Sequence, residues 1–208
     1  MTLCRHRAIL ALLLTLAVTT MTARWALAGV PTDQLRAQID RVLKVLEDPE
    51  LKKEGHQKDR RAAVRKIANE IFDFSETARR SLGRHWQGRT DAERTEFVQL
   101  FSDLLERTYI SKIETYGGEK IAYLGDTIEG EQAKVQTKLV TKGSGDIPIE
   151  YRMHKKNDRW MVYDVAIEGV SLVSNYRTQF NKIIQTSSFQ ELVNKMKNKQ
   201  QELMTGQS

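Results

Sequence analysis

The stretch from Arg159 to Phe180, RWMVYDVAIEGVSLVSNYRTQF, most constrains what this chain can fold into. Its first half alternates as a strand does. Trp160, Val162, Asp164 and Ala166 fall on one face, and Met161, Tyr163, Val165 and Ile167 on the other. β-Branched and aromatic residues dominate it, as a largely buried pleated segment requires. Glu168-Gly169 breaks the alternation, because glycine admits backbone angles that end a strand. Beyond Ser171 the period becomes helical, with Leu172, Val173, Tyr176, Phe180, Ile183 and Ile184 on one face. A central strand therefore turns sharply into an amphipathic helix, and the rest of the chain must supply the apolar surface it lies on.

Upstream, helices are expected. Thr32 reads as the N-cap of a helix carrying Leu35, Ile39, Val42, Leu43 and Leu46. Val64, Ile67, Ala68, Ile71 and Phe72 form a second apolar face, and Ser75 reads as the cap of a short third helix ending at Leu82-Gly83. Thr90-Asp91-Ala92-Glu93 has the capping-box pattern and starts a long helix that stops at Gly117-Gly118. The period then becomes two: Ile121 and Tyr123, then Ala133 to Thr141, then Ile147 to Met153, joined by glycine- or asparagine-containing turns. A second capping box, Ser188 to Glu191, opens a last helix. Helices, a meander and helices again predict an α+β class: a four-stranded antiparallel sheet with helices packed on one face.

The first 28 residues read as a cleaved signal peptide: Arg5 and Arg7, an apolar run from Ala8 to Val18, and the small-x-small site Ala26-Leu27-Ala28. The run is shorter than the ~20 residues a membrane span needs. Residues 29–208 are then one domain. The leader holds three arginines, no acid and the sole cysteine, Cys4, so the net charge of +6 falls to +3 without it. Disulfides, thiolate metal sites and cysteine catalysis are excluded for the processed chain. Its near-balanced, interspersed charge gives no footprint for nucleic acid.

No catalytic constellation is present: no G-x-S-x-G, no phosphate-cradling glycine loop and no H-E-x-x-H. His56, His85 and His154 lack ligand spacing, so no metal is expected, and His154 near a strand end reads as solvated. Asp164 is an acid in an apolar strand and must be paired, exposed or functional. Apolar residues in the long helix, the strands and the Leu172–Gln185 helix read by pattern as an ordinary core, with a ligand cavity as the alternative.

The run Trp160-x-Val162-Tyr163-Asp164-Val165-x-x-Glu168-Gly169-Val170-Ser171-Leu172-Val173-x-Asn175-Tyr176-Arg177-x-x-Phe180 resembles the MlaC (toluene-tolerance) family. Three upstream pieces agree in order: Leu82-Gly83-Arg84-His85-Trp86, the Phe97 to Tyr109 pattern, and Ile147-Pro148-Ile149-x-Tyr151. The resemblance runs from about Val64 to Leu192. It implies a periplasmic phospholipid carrier with an apolar pocket between sheet and helices. No cofactor is implied. The implied partners are an inner-membrane ABC transporter complex with its substrate-binding subunit and an outer-membrane lipoprotein–porin complex, the pathway that maintains outer-membrane lipid asymmetry. Pattern and resemblance together place Phe97, Phe101, Leu104, Tyr109, Val135, Leu139, Ile149, Tyr151, Val162, Val165, Val173, Tyr176 and Phe180 in the lipid-binding walls. Arg177 is placed either to meet a phosphate or to pair with Asp164. A hopanoid-related carrier, and a small periplasmic enzyme on a cone-shaped α+β scaffold using Asp164 with Tyr151 or Tyr163, are the alternatives.

Overall fold

A computed structural model describes residues 30–141, 143 and 145–205. The expected signal peptide lies outside the described residues. Helices α1 (Val30–Glu47), α2 (Gln57–Ile71), α3 (Phe74–Leu82) and α4 (Asp91–Glu114) precede strands β1 (Lys120–Glu129), β2 (Gln132–Val140), β3 (Ile147–Lys156), β4 (Arg159–Ile167) and β5 (Val170–Ser171). Helices α5 (Leu172–Thr186) and α6 (Phe189–Thr205) close the chain.

Three helix starts follow from local chemistry, and two expected caps do not form. Before α4 the capping box is closed in both directions: Glu93 N donates to Thr90 Oγ1 (3.2 Å) and Thr90 N to Glu93 Oε2 (2.8 Å). Ser188 caps α6 by accepting from Glu191 N, and Ser171 caps α5 by accepting from Ser174 N. Thr32, however, is not a cap. It lies fully buried in the first turn of α1, where its N and Oγ1 donate to Asp126 Oδ2 and pin the helix to β1. Nor does Ser75 cap α3. Asp73 takes that role by accepting from Glu76 N, because its backbone is fixed by the bond from its own N to Val162 O of β4.

The sheet is an antiparallel meander in sequence order, with five strands rather than four. The extra strand arises because Glu168 and Gly169 both adopt positive φ (51° and 81°), which folds Val170-Ser171 straight back onto Ile167 and Ala166. Asn157 and Asp158 (φ 48° and 59°) turn β3 into β4 in the same way. In β2, Ala133, Val135 and Thr137 are buried while Lys134 and Gln136 are exposed, as the alternation predicts.

In β4 the predicted faces are wrong beyond Val162. Met153 pairs with Val162 but Arg152 pairs with Asp164, so Tyr163 is an extra residue, a β-bulge. Past the bulge the alternation is inverted. Val162, Val165 and the partly buried Trp160 and Ile167 accordingly share one cluster with α1 and α2. A strict period of two splits them between faces.

The apolar interior is divided. One cluster joins α3, α4, α5 and α6 through Phe97, Phe101, Phe180, Phe189 and Leu192. Another joins α1, α2 and the sheet through Leu35, Ile67, Val135, Met153 and Val162. A small third cluster, Leu46, Val64 and Ile110, ties α1 and α2 to α4.

Candidate functional site

Between the two large clusters lies a cavity of about 570 Å³. Its walls come from α2 (Val64, Ala68), α4 (Phe101, Leu105, Tyr109, Ile110) and the start of α5 (Leu172, Val173). Ile149 and Tyr151 of β3 with Val165 and Ile167 of β4 form the sheet side. Phe72 and Phe74, their rings stacked at 5.6 Å, fill the corner between α2 and α3.

Polar groups line it at two places. Arg65, Asn69, Ser102, Asp103, Glu106 and Lys112 sit on the solvent side, between α2 and α4. Arg65, Lys112 and Ile113 are exposed, so the cavity reaches solvent along this side. Tyr163, Asp164 and Thr77 are buried at the other side. The phenol of Tyr151 faces the interior, where burial pushes it up to about 12, partly offset by the Thr137 hydroxyl. Burial likewise raises Tyr109. Both phenols therefore stay neutral at any physiological pH, and the middle of the cavity carries no charge.

Asp164 is 3 % exposed and fully engaged. Ser171 Oγ donates to its Oδ2 at 2.6 Å, Val173 N to its Oδ1 at 3.0 Å, and Arg152 Nη1 to Oδ2 at 3.1 Å. The carboxylate thus ties β4 to the N-terminus of α5, where a helix favours negative charge. Arg177 is not its partner: Arg177 Nε donates to the Arg80 carbonyl, and the cross-strand position opposite Asp164 belongs to Arg152. His154 is not simply solvated either. Its Nε2 lies 3.1 Å from Asp73 Oδ2, which Lys156 Nζ also meets at 2.6 Å, and its ring packs edge-on against Tyr163.

Of the residues expected at the walls, Phe101, Tyr109, Ile149, Tyr151, Val165 and Val173 line the cavity, and Asp164 touches its edge. Phe97, Leu104, Tyr176 and Phe180 pack in the cluster of α3 to α6 instead. Val135 and Val162 lie in the sheet core under α1 and α2, and Leu139 sits at the end of β2 opposite Ile121 and Ile147. The physical reason is that α4 is apolar on two sides. One side packs on α5 and α6, the other bounds the cavity, and Phe101 and Leu105 at the border belong to both. The contribution of α2 was the missed part. Its signal is in the sequence, since Val64 and Ala68 continue an apolar face flanked by Arg65 and Asn69.

The family profile described as MlaC protein matches residues 36–198. The intermembrane phospholipid transport system binding protein MlaC of Haemophilus influenzae is 23% identical over 120 residues, 55% of this chain and 56% of that one, so the chain spans about half the length of this curated relative. The structure of a phospholipid-binding protein from Ralstonia solanacearum, in complex with a phospholipid, superposes with a TM-score of 0.75 at 23% identity, over 85% of this chain and 99% of that one. That likeness establishes the fold. With the profile running from α1 through most of α6, the chain belongs to the MlaC family.

Proposed function

We propose that the chain is a phospholipid carrier that holds acyl chains in this cavity and leaves the headgroup at the opening between α2 and α4. The carrying observation is the cavity: about 570 Å³, walled mostly by apolar side chains, with neutral phenols inside and charged groups where α2 faces α4 and at Asp164. That volume lies within the usual ~300–1,000 Å³ of ligand pockets. From Phe101 to Ile113 the cavity follows α4 for about 18 Å at 1.5 Å per residue. An extended acyl chain has comparable length.

The energetics suit a carrier. Two acyl chains hold on the order of 30 methylenes, and removing each from water is worth ~0.8 kcal/mol, a gross ~25 kcal/mol. Chain ordering reduces it. A bilayer shields the same methylenes, so exchange between membrane and cavity is nearly balanced, and cargo can move either way. In this reading the chain loses residues 1–28 on export, works in the periplasm as one domain, and passes lipid between an outer-membrane complex and an inner-membrane ABC transporter. The carboxylate of Asp164 serves the fold and performs no turnover.

Native mass spectrometry of the protein purified without detergent tests the carrier reading. A bound mass of one diacyl phospholipid is expected. A hopanoid-sized mass would keep the carrier and replace its cargo; a bare protein that also refuses added phospholipid would overturn it.

A further inference from the structure

Along the cavity, charged side chains reach between α2 and α4. At one end the span is a clasp. Arg60 and Arg61 both reach Glu114 (3.2 and 2.9 Å), and Leu46, Val64 and Ile110 pack together nearby. The Arg61 guanidinium, with Arg60 beside it, holds the Glu114 carboxyl below the usual carboxylate range. Over the opening the arrangement differs. Arg65 on α2 lies across the mouth alone, its Nη2 donating to Asp103 Oδ1 at 2.9 Å and its Nε to Glu106 Oε2. All three residues line the cavity, so a headgroup that enters between the helices at this point meets the bar.

Displacing the bar breaks two ion pairs that solvent screens on the Arg65 side, which is 47% exposed, although Asp103 and Glu106 are only 22% and 25% exposed. Asp103 keeps a partner when Arg65 leaves, because Gln200 Nε2 of α6 donates to its Oδ2 at 2.7 Å. A guanidinium, moreover, offers its planar fork to a phosphodiester as readily as to carboxylates. Lys112, the other cation at the wall, stands over the Tyr109 ring at 5.7 Å on the same helix as the two acids.

Resting on the carrier reading above, we infer that Arg65 is the headgroup-selecting residue. It bars the opening against Asp103 and Glu106 when the cavity is empty and turns to the phosphate of a lipid that has entered. The site then discriminates by the phosphodiester: lipids that carry one are retained, and uncharged diacylglycerol, which matches the acyl chains but cannot replace the carboxylates, is not.

The purified protein is incubated with vesicles containing equal amounts of tail-labelled phosphatidylethanolamine and tail-labelled diacylglycerol, separated from them, and assayed for both labels. Wild type should favour the phospholipid. Arg65→Ala should lower that ratio by about threefold to tenfold, the range expected when charge-assisted hydrogen bonds at a half-exposed site are lost. Arg65→Lys should restore part of it, and Asp103→Asn with Glu106→Gln, which frees Arg65, should raise it. Inorganic phosphate in the buffer should leave the ratio unchanged; a preference abolished by it would overturn the headgroup assignment in favour of a free-anion site. Wild type that takes both labels while Arg65→Ala keeps the wild-type ratio overturns the role of Arg65 alone. Wild type that takes neither overturns the carrier reading itself.

Discussion

Replacing Asp164 with asparagine preserves shape and removes one charge from the point where β4 meets α5. The aspartate accepts three hydrogen bonds, from Ser171 Oγ, Val173 N and Arg152 Nη1. Arg152 is a third exposed, so solvent screens its share and it adds little. The other two donors are buried. Asparagine retains one acceptor oxygen and turns an NH₂ toward a group that also donates. The bond that survives weakens from charge-assisted to neutral, and the other leaves a buried donor unpaired, a combined cost of about 3 kcal/mol. For a chain of this size that lowers Tm by roughly 6–12 °C. Thermal and urea unfolding, followed by circular dichroism, measure it. Ser171→Ala in the same background should be less than additive, because the two share one interaction. A loss below about 0.5 kcal/mol, the range of ordinary surface substitutions, would refute the reasoning. Intact stability with altered cargo would reassign Asp164 to the ligand.

Val173→Trp fills the cavity from the α5 side and should sharply lower co-purified lipid while circular dichroism stays that of the wild type; unchanged lipid content would remove Val173 from the wall. The Glu76 carboxyl is held down at about 2 by Arg79, with Arg80 adding to it against the opposing effect of burial. Because the folded value lies below the ordinary 4.5, the stabilisation is complete above that pH and disappears as pH falls from there toward 2. Glu76→Gln should therefore be less stable than wild type by about 1 kcal/mol at neutral pH, discounted for the partly exposed arginines, with the gap closing in acid; a gap independent of pH would refute the linkage. Gly83, at φ 57° and ψ −128°, occupies a region closed to other residues, so Gly83→Ala should cost about 1–3 kcal/mol, read as a lower urea midpoint at unchanged slope.

Local rules carried most of the fold. The Thr90 capping box, the paired positive-φ turns and the alternation of β2 are decided within a few residues, and the structure follows them. What escaped was decided across the fold. The bulge at Tyr163 leaves no mark on the sequence of β4 itself, yet it inverts every face beyond it. Asp164 finds Arg152 because the strands are in register, not because any pattern along the chain pairs them. Asp73 outcompetes Ser75 as a cap because β4, His154 and Lys156 already hold it in place. The cavity walls were legible only in part. An apolar side chain looks the same in sequence whether another side chain or an empty space stands opposite. Only what α4 packs against reveals that Phe101 borders the cavity while Phe97, in the same cluster, does not.

The order of the strands has a kinetic consequence. Each one pairs only with its neighbours in sequence, and β3–β4 and β4–β5 are joined by two-residue turns. Little chain entropy is lost in closing such turns, and hairpins of this kind form in about 1–10 μs. The slower step is docking. Helices α1 and α2 come from the far N-terminal side yet cover residues of β2, β3 and β4, contacts of long sequence separation that lower folding rates. The sheet is thus expected to assemble first and to wait, with its apolar face uncovered, for the helices that complete the walls. During that interval the half-built cavity is an uncovered apolar surface open to aggregation.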